Sequence, residues 1–157
     1  MNTIIQKAWE EFLGPMLRRP KRLQVAALCH RGAGEDRRFL LVTSRESRRW
    51  IIPKGWPIRG LKSNEAALQE AWEEAGVKRG KVSAQPIGSY SYDKRTPTGL
   101  ALPVHTLVYS VRVEELSDSY PEADERSRRW VSADEAADMV DETELQWLFH
   151  ENADLAA

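Results

Sequence analysis

The chain has 157 residues, 41% hydrophobic and 30% charged, with a formal net charge of -1; this suits one globular domain and excludes a disordered polyelectrolyte, while the near-neutral total by itself names no polyanionic or membrane partner. One cysteine cannot build a disulfide framework, so a reducing compartment is expected. No apolar run is long enough to span a bilayer and the N-terminus lacks a signal-peptide core, so the expected location is cytoplasmic.

In chain order, Ile4, Ile5, Trp9, Phe12 and Leu13 recur at helical spacing until Gly14 and Pro15. Residues 1–20 are therefore expected to be an accessory helix and a basic linker ahead of a single domain over residues 21–157. Arg22 to His30 reads as a buried strand, Gly32 to Asp36 as a turn, and Phe39 to Thr43 as the hairpin partner. Trp50 to Ile52 is a short strand stopped by Pro53. A loop with Gly55, Pro57 and Gly60 then leads into a helix rich in Ala, Leu, Gln and Glu, expected to be N-capped by Ser63 and C-capped by Gly76. Val82 to Tyr92 reads as a strand with Tyr90 and Tyr92 on one face, followed by a polar turn from Lys94 to Gly99. Leu102 to Val113 is the longest strand, Glu114 to Arg126 an acidic loop, and Arg128 to Val131 a last strand. Two helices close the chain, Ser132 to Val140 and Glu142 to Asn152, the first opened by a capping box of Ser132 and Glu135. Strands flanked by helices on either side predict an α/β sandwich.

The helix after Gly60 carries Glu70, Glu73 and Glu74 at i, i+3, i+4, which stacks three carboxylates on one face. Ala67, Leu68, Ala71 and Ala75 form a neighbouring apolar face that can pack on a sheet. Stacked acids repel unless a cation neutralises them, and hard divalent ions take oxygen ligands, often one or two carboxylates plus substrate phosphates. The alternative is a solvated acidic face, which charge runs usually form. Charge is also uneven along the chain. Arg18 to Lys62 holds thirteen Lys or Arg against three acids, Glu35, Asp36 and Glu46. Such a basic half suits a polyphosphate, whose oxygens Arg binds bidentately. No phosphate-loop, zinc or G-x-S-x-G nucleophile motif is present. His30, His105 and His150 lack metal spacing, Cys29 sits in an apolar run, and Trp50 and Trp130 read as core.

The stretch from Gly55 to Val77 resembles the signature of the Nudix hydrolases, G-x5-E-x7-R-E-U-x-E-E-x-G-U with U apolar. Gly55, Glu70, Ala71, Glu73, Glu74, Gly76 and Val77 match it; Leu61 stands in place of Glu and Gln69 in place of Arg. The missing Arg ordinarily pairs with nearby carboxylates, so its loss bears on catalytic efficiency more than on metal binding. Trp50 to Gly55, Lys21 to Cys29, Leu40 to Arg45 and Arg128 to Trp130 are similar to the diphosphoinositol polyphosphate and diadenosine polyphosphate phosphohydrolase branch. The resemblance implies an α/β/α sandwich with a mixed β-sheet and the signature loop and helix on one side. It implies Glu70, Glu73 and Glu74 as catalytic acids, and these with the Gly55 carbonyl as ligands of Mg2+, or of Mn2+ as the alternative. One of Glu122, Asp124 and Glu125 would assist from the acidic loop. Arg22, Ser44, Arg45 and Lys54 would bind phosphate, with Lys94 and Arg95 reaching in from their turn. The implied function is Mg2+-dependent hydrolysis of a phosphoanhydride in a nucleoside or inositol polyphosphate. The rival readings are a pyrophosphohydrolase of a sugar nucleotide or RNA 5′ end, and a non-catalytic polyphosphate-binding module. The expected partner is a small-molecule polyphosphate, with no membrane or specific nucleic acid, in a monomer or homodimer.

Overall fold

The computed structural model describes residues 21–154; the helix expected over residues 2–13 lies outside them. Eight strands form one mixed sheet: β1 (Arg22–Arg31), β2 (Arg38–Thr43), β3 (Trp50–Ile51), β4 (Lys54–Gly55), β5 (Val77–Val82), β6 (Gly88–Arg95), β7 (Ala101–Leu116) and β8 (Arg128–Val131). The central order is β3-β2-β1-β7-β5, with β4 on β1, β6 on β7 and β8 on β2. Among the described residues only β1 and β7 run parallel, in register from Arg22 opposite Val104 to His30 opposite Arg112. The helices are α1 (Ser63–Ala75), α2 (Ala133–Met139) and α3 (Thr143–Glu151). No helix among the described residues is long and apolar enough to cross a membrane.

Alternation along β1 and β2 divides the core in two, because successive side chains point to opposite faces. Val25, Ala27, Cys29, Leu40 and Val42 meet Ala66, Ala67, Ala71 and Ala75 of α1. Ala26, Leu28, Phe39 and Leu41 meet Val140, Leu145, Leu148 and Phe149 under α2 and α3. The result is an α/β/α sandwich in which α1 is, among the described residues, the one helix on its face. The four alanines matter to the site: small side chains let α1 lie close to the sheet, so its acidic face is carried down to the level of β4.

Several boundaries differ from the sequence reading. Lys62, not Ser63, is the N-cap of α1; its backbone is extended and makes no side-chain cap, while Asn64 Oδ1 accepts from Glu65 N at 3.0 Å. The strand expected from Val82 to Tyr92 is two strands, β5 and β6, parted by residues 83–87 around Pro86. β7 reaches Leu116, shortening the acidic loop, and the tip between β6 and β7 begins after Arg95. The capping box of Ser132 and Glu135 forms in both directions, at 3.2 Å each.

Gly76 ends α1 with φ 74°, a left-handed conformation that glycine adopts without cost. A Cβ there would stand 2.6 Å from Ser117 O, Arg128 Nη1 and Tyr120 Cδ1. Gly76→Ala is therefore expected to lower stability by about 1–3 kcal/mol. Urea unfolding checks this, and an unchanged midpoint would show that the α1 exit tolerates a side chain.

Candidate active site

A cleft of about 1130 Å³ opens where the end of α1, the start of β4, the loop after β2, the tip of β6 and the loop before β8 converge. Its acidic side is built by Glu70, Glu74 and Glu122. Its basic side is built by Arg45, Arg49, Lys54, Lys94 and Arg95. The sheet brings these groups together because β4 pairs with β1, setting Gly55 opposite Val25 beside α1.

Glu70 lies against Gly55. A Cβ on that glycine would be 2.2 Å from Glu70 Oε1, so only glycine lets strand backbone and carboxylate meet. Burial first, then the charges of Glu74, Glu73 and Glu122, push the Glu70 carboxyl up to about 8. Glu74 is buried outright. Its Oε1 accepts from Arg126 Nη2 at 3.1 Å and its Oε2 from the Lys54 backbone N–H at 3.2 Å. Burial raises its pKa while the Arg126 and Lys54 cations pull it back. Lys54 rests its ammonium 5.0 Å from the Tyr92 ring centre, and burial lowers its pKa against the attraction of Glu74 and Glu142.

Glu73 is placed differently. Its Oε1 accepts from Gln69 Nε2 at 3.1 Å, its carbonyl accepts from Glu122 N at 3.0 Å, and it does not line the cleft, although its chain neighbour Glu74 does. Ser44, Arg45, Lys54, Gly55, Glu70 and Glu74 line the cleft; Arg22, exposed at the start of β1, does not. Of the three loop acids only Glu122 lines it, bound to Arg126 at 3.1 Å and 3.6 Å from Arg45. Asp124 and Glu125 face solvent. Lys94 and Arg95 line the rim from the end of β6.

Among the described residues no three His, Cys, Asp or Glu side chains converge enough to hold an ion by themselves. Glu74 is turned to Arg126 and Glu73 to Gln69. Glu70 and Glu74 still line the cleft beside the backbone of Gly55, a hard donor set in which each bonded Glu74 oxygen keeps a second acceptor position. That set fits a Mg2+-like ion, which takes one or two carboxylates and completes its shell with water and phosphate oxygens.

Sequence reasoning missed Arg126, Arg49, Trp56, Tyr92 and Gln24. Arg49 binds Asp141 at 3.1 Å and Glu142 at 3.2 Å. Trp56 is 38% exposed on the cleft rim, with Lys94 Nζ 5.0 Å from its ring centre. Tyr92 donates to Gln24. Trp56 adjoins Gly55, Gln24 lies within the Lys21 to Cys29 stretch and Tyr92 reads only as a strand residue, whereas Arg126 is brought in from a distant loop.

A family model described as NUDIX domain matches residues 20–150. Human diphosphoinositol polyphosphate phosphohydrolase 3-alpha is 33% identical over 116 residues, 72% of this chain and 65% of that protein. Nudix hydrolase 4 of Arabidopsis thaliana is 31% identical over 105 residues, 64% of this chain and 46% of that protein. The matches thus span less than two thirds of those relatives. Among solved structures, the C. elegans Ap4A hydrolase superposes with TM-score 0.62 at 16% identity, over 84% of this chain and 96% of that one. The NUDIX domain of Shewanella oneidensis NrtR, complexed with ADP ribose, gives 0.62 at 14% identity, over 93% of this chain and 94% of that one. At such identities the likeness is one of fold.

The Glu70 environment makes metal-free stability depend on pH. A folded-state pKa raised from 4.5 to about 8 gives a contribution that is complete below 4.5 and lost as pH climbs through about 8. Glu70→Gln removes this term. Metal-free melting curves taken between about pH 5 and pH 8.5 should show the variant gaining on the wild type as pH rises. A pH-independent difference between the two would contradict the buried, crowded carboxylate.

Proposed function

Since the chain belongs to the Nudix family, matched by the NUDIX domain over residues 20–150, we propose that it hydrolyses a phosphoanhydride bond in a small nucleoside or inositol polyphosphate with the help of a divalent cation. Nudix hydrolases generally use divalent metals such as Mg2+. The observation that carries the reading is the pairing of Glu70, Glu74 and Gly55 on one side of a cleft with Arg45, Lys54, Lys94 and Arg95 on the other.

Glu70, Glu74 and the Gly55 carbonyl would hold the cation. Bound there, it would neutralise phosphate charge and make water a better nucleophile. The chain's own groups do the rest. Arg45 and Lys54 grip the phosphates beside the scissile bond, and Lys94 and Arg95 hold the far end of the polyphosphate. The water oxygen attacks phosphorus, the anhydride P–O bond breaks, and the phosphate or nucleotide leaves as an anion. Glu73, half-buried beside the lining, takes the water's proton, with Gln69 orienting its carboxylate.

The test is Mg2+-dependent phosphate release from a panel of dinucleoside polyphosphates, inositol pyrophosphates, sugar nucleotides and RNA 5′ ends. Glu73→Gln and Glu74→Gln should lower kcat at least about a hundredfold with the fold retained by circular dichroism. Turnover near wild type in both variants at saturating Mg2+ would sink the reading. Binding without any turnover by the wild type would favour a polyphosphate-binding module instead.

Trp56 favours a nucleoside over an inositol. Its exposed ring on the rim offers a face on which a base can stack, a contact worth about 1–3 kcal/mol. Trp56→Ala should therefore raise KM for dinucleoside polyphosphates about fivefold or more and leave inositol pyrophosphates nearly unaffected. Equal losses on both substrates would remove the support that Trp56 lends to a nucleoside.

A further inference from the structure

We propose that Arg126 is a positioning residue for the carboxylate cluster, supplying from the loop before β8 the cation that α1 lacks at Gln69. The inference rests on the catalytic reading given above. Its grounds are geometric. The Arg126 side chain is 6% exposed, and Nη2 donates to both Glu74 Oε1 and Glu122 Oε1 at 3.1 Å. Nη1 donates to the Thr43 carbonyl at 3.0 Å. The next residue is clamped to the same strand: Thr43 N donates to Ser127 O at 3.0 Å and Ser127 N to Thr43 Oγ1 at 2.9 Å. The guanidinium is thus fixed by β2 on one side and delivered to two carboxylates on the other.

Gln69 cannot do this work. It is neutral, and among the described residues its side chain bonds to Glu73 Oε1 at 3.1 Å. Glu70, Glu73 and Glu74 lie within two helical turns, with Glu122 added from the loop, and Glu74 is buried among them. A buried carboxylate without a cationic partner is strongly destabilising, and removing one member of a buried pair leaves the other uncompensated. Arg126 takes one oxygen of Glu74 and the Lys54 N–H takes the other, which fixes the carboxylate plane. Each ionised oxygen offers about two acceptor positions, so Glu74 keeps the capacity to bind a cation in a set orientation. Arg126 touches no substrate atom in this role; it acts through Glu74 and Glu122.

A plain structural strap between the loop and β2 would predict something different, and moving the charge separates the two. The proteins to compare are wild type, Arg126→Gln, Arg126→Lys, Gln69→Arg, and Gln69→Arg combined with Arg126→Gln. Each is read by its metal-free melting temperature and by kcat and KM with Mg2+. Arg126→Gln should melt lower and lose about tenfold or more in kcat, with KM within about threefold. Arg126→Lys, which keeps the charge but reaches fewer acceptors, should fall between, and it carries the comparison if the Gln variant does not fold. Gln69→Arg should recover more than half of both losses in the Arg126→Gln background, a larger gain than the same change gives where the Arg126 cation is already present. Failure to recover either quantity, or an equal gain in the wild type, overturns the proposal. If the wild type shows neither turnover nor any response to Mg2+, the catalytic reading fails, and the metal-free melting temperatures alone decide whether Arg126 braces the acids.

Discussion

A carboxylate that the fold has taken out of water governs this molecule. Glu74 is buried between the Arg126 guanidinium and the Lys54 backbone. Such a group needs partners on every side, because desolvating a charge costs several kcal/mol that only good geometry repays. Those partners come from two separate segments, β4 and the loop before β8. Their meeting requires the alanine face of α1, which sets helix-to-sheet distance, and the glycine at position 55, which lets Glu70 touch strand backbone. A methyl group on Gly55, or a larger residue at Ala71 or Ala75, would lift the acidic face away from the cations opposite. Packing and chemistry are therefore one constraint here: the helix is small-faced because its other face must be driven into the cleft.

What could be read in the sequence divides along this line. The helix of the signature, its glycine exit, the β1–β2 hairpin and the Ser132 capping box all have local causes, and local causes leave local patterns. The acids at 70, 73 and 74 were visible because they share one helix. Arg126 was not, since its partners stand at 43, 74 and 122, and no spacing rule connects them. The split of the Val82 to Tyr92 stretch into β5 and β6 was missed for a related reason. β5 and β6 both pair with β7, β5 at Val111 to Leu116 and β6 at Ala101 to Val108. Only a strand as long as β7 can serve both, and its length is settled by those pairings more than by its own alternation. Among the acids of the loop before β8, composition could not choose, whereas the Glu122 N–H bond to the Glu73 carbonyl turns that one residue toward the helix.

The charge asymmetry of the sequence also changes meaning once the contacts are known. Many of the basic residues between 18 and 62 are engaged in holding the protein together. Arg31 lies over Trp130 at 4.1 Å, Arg37 meets His30 at 2.6 Å, Arg38 donates to two backbone carbonyls, and Arg48 donates to the Glu125 carbonyl. Burial and the neighbouring arginines hold His30 down at about 4, so it meets Arg37 as a neutral ring. The bulk excess of positive charge therefore overstates what a polyanion would meet. The cations that line the cleft come from four places, the loop after β2, β4, the end of β6 and the loop before β8, and the last two lie outside the basic half of the sequence.

These cleft cations are not equivalent. Arg49 is already balanced by Asp141 and Glu142 at the start of α3, and Lys54 lies in the field of both Glu74 and Glu142. A phosphate approaching either must compete with buried carboxylates that have few other partners; Glu142 Oε2 has no hydrogen bond among the described residues. Arg45, Lys94 and Arg95 are exposed, Arg45 with Glu122 at 3.6 Å, and their attraction for an anion is screened beyond about 8–10 Å at ordinary salt. The two sets divide the work by depth. The exposed cations attract an anion to the rim at long range, an attraction that falls with ionic strength. The inner pair discriminates at short range, because only an anion placed well enough to replace Glu142 at Lys54 and Arg49 recovers the cost of parting them. Under the proposed function, selection among polyphosphates would be set at this inner pair, and the rim would govern how fast they arrive.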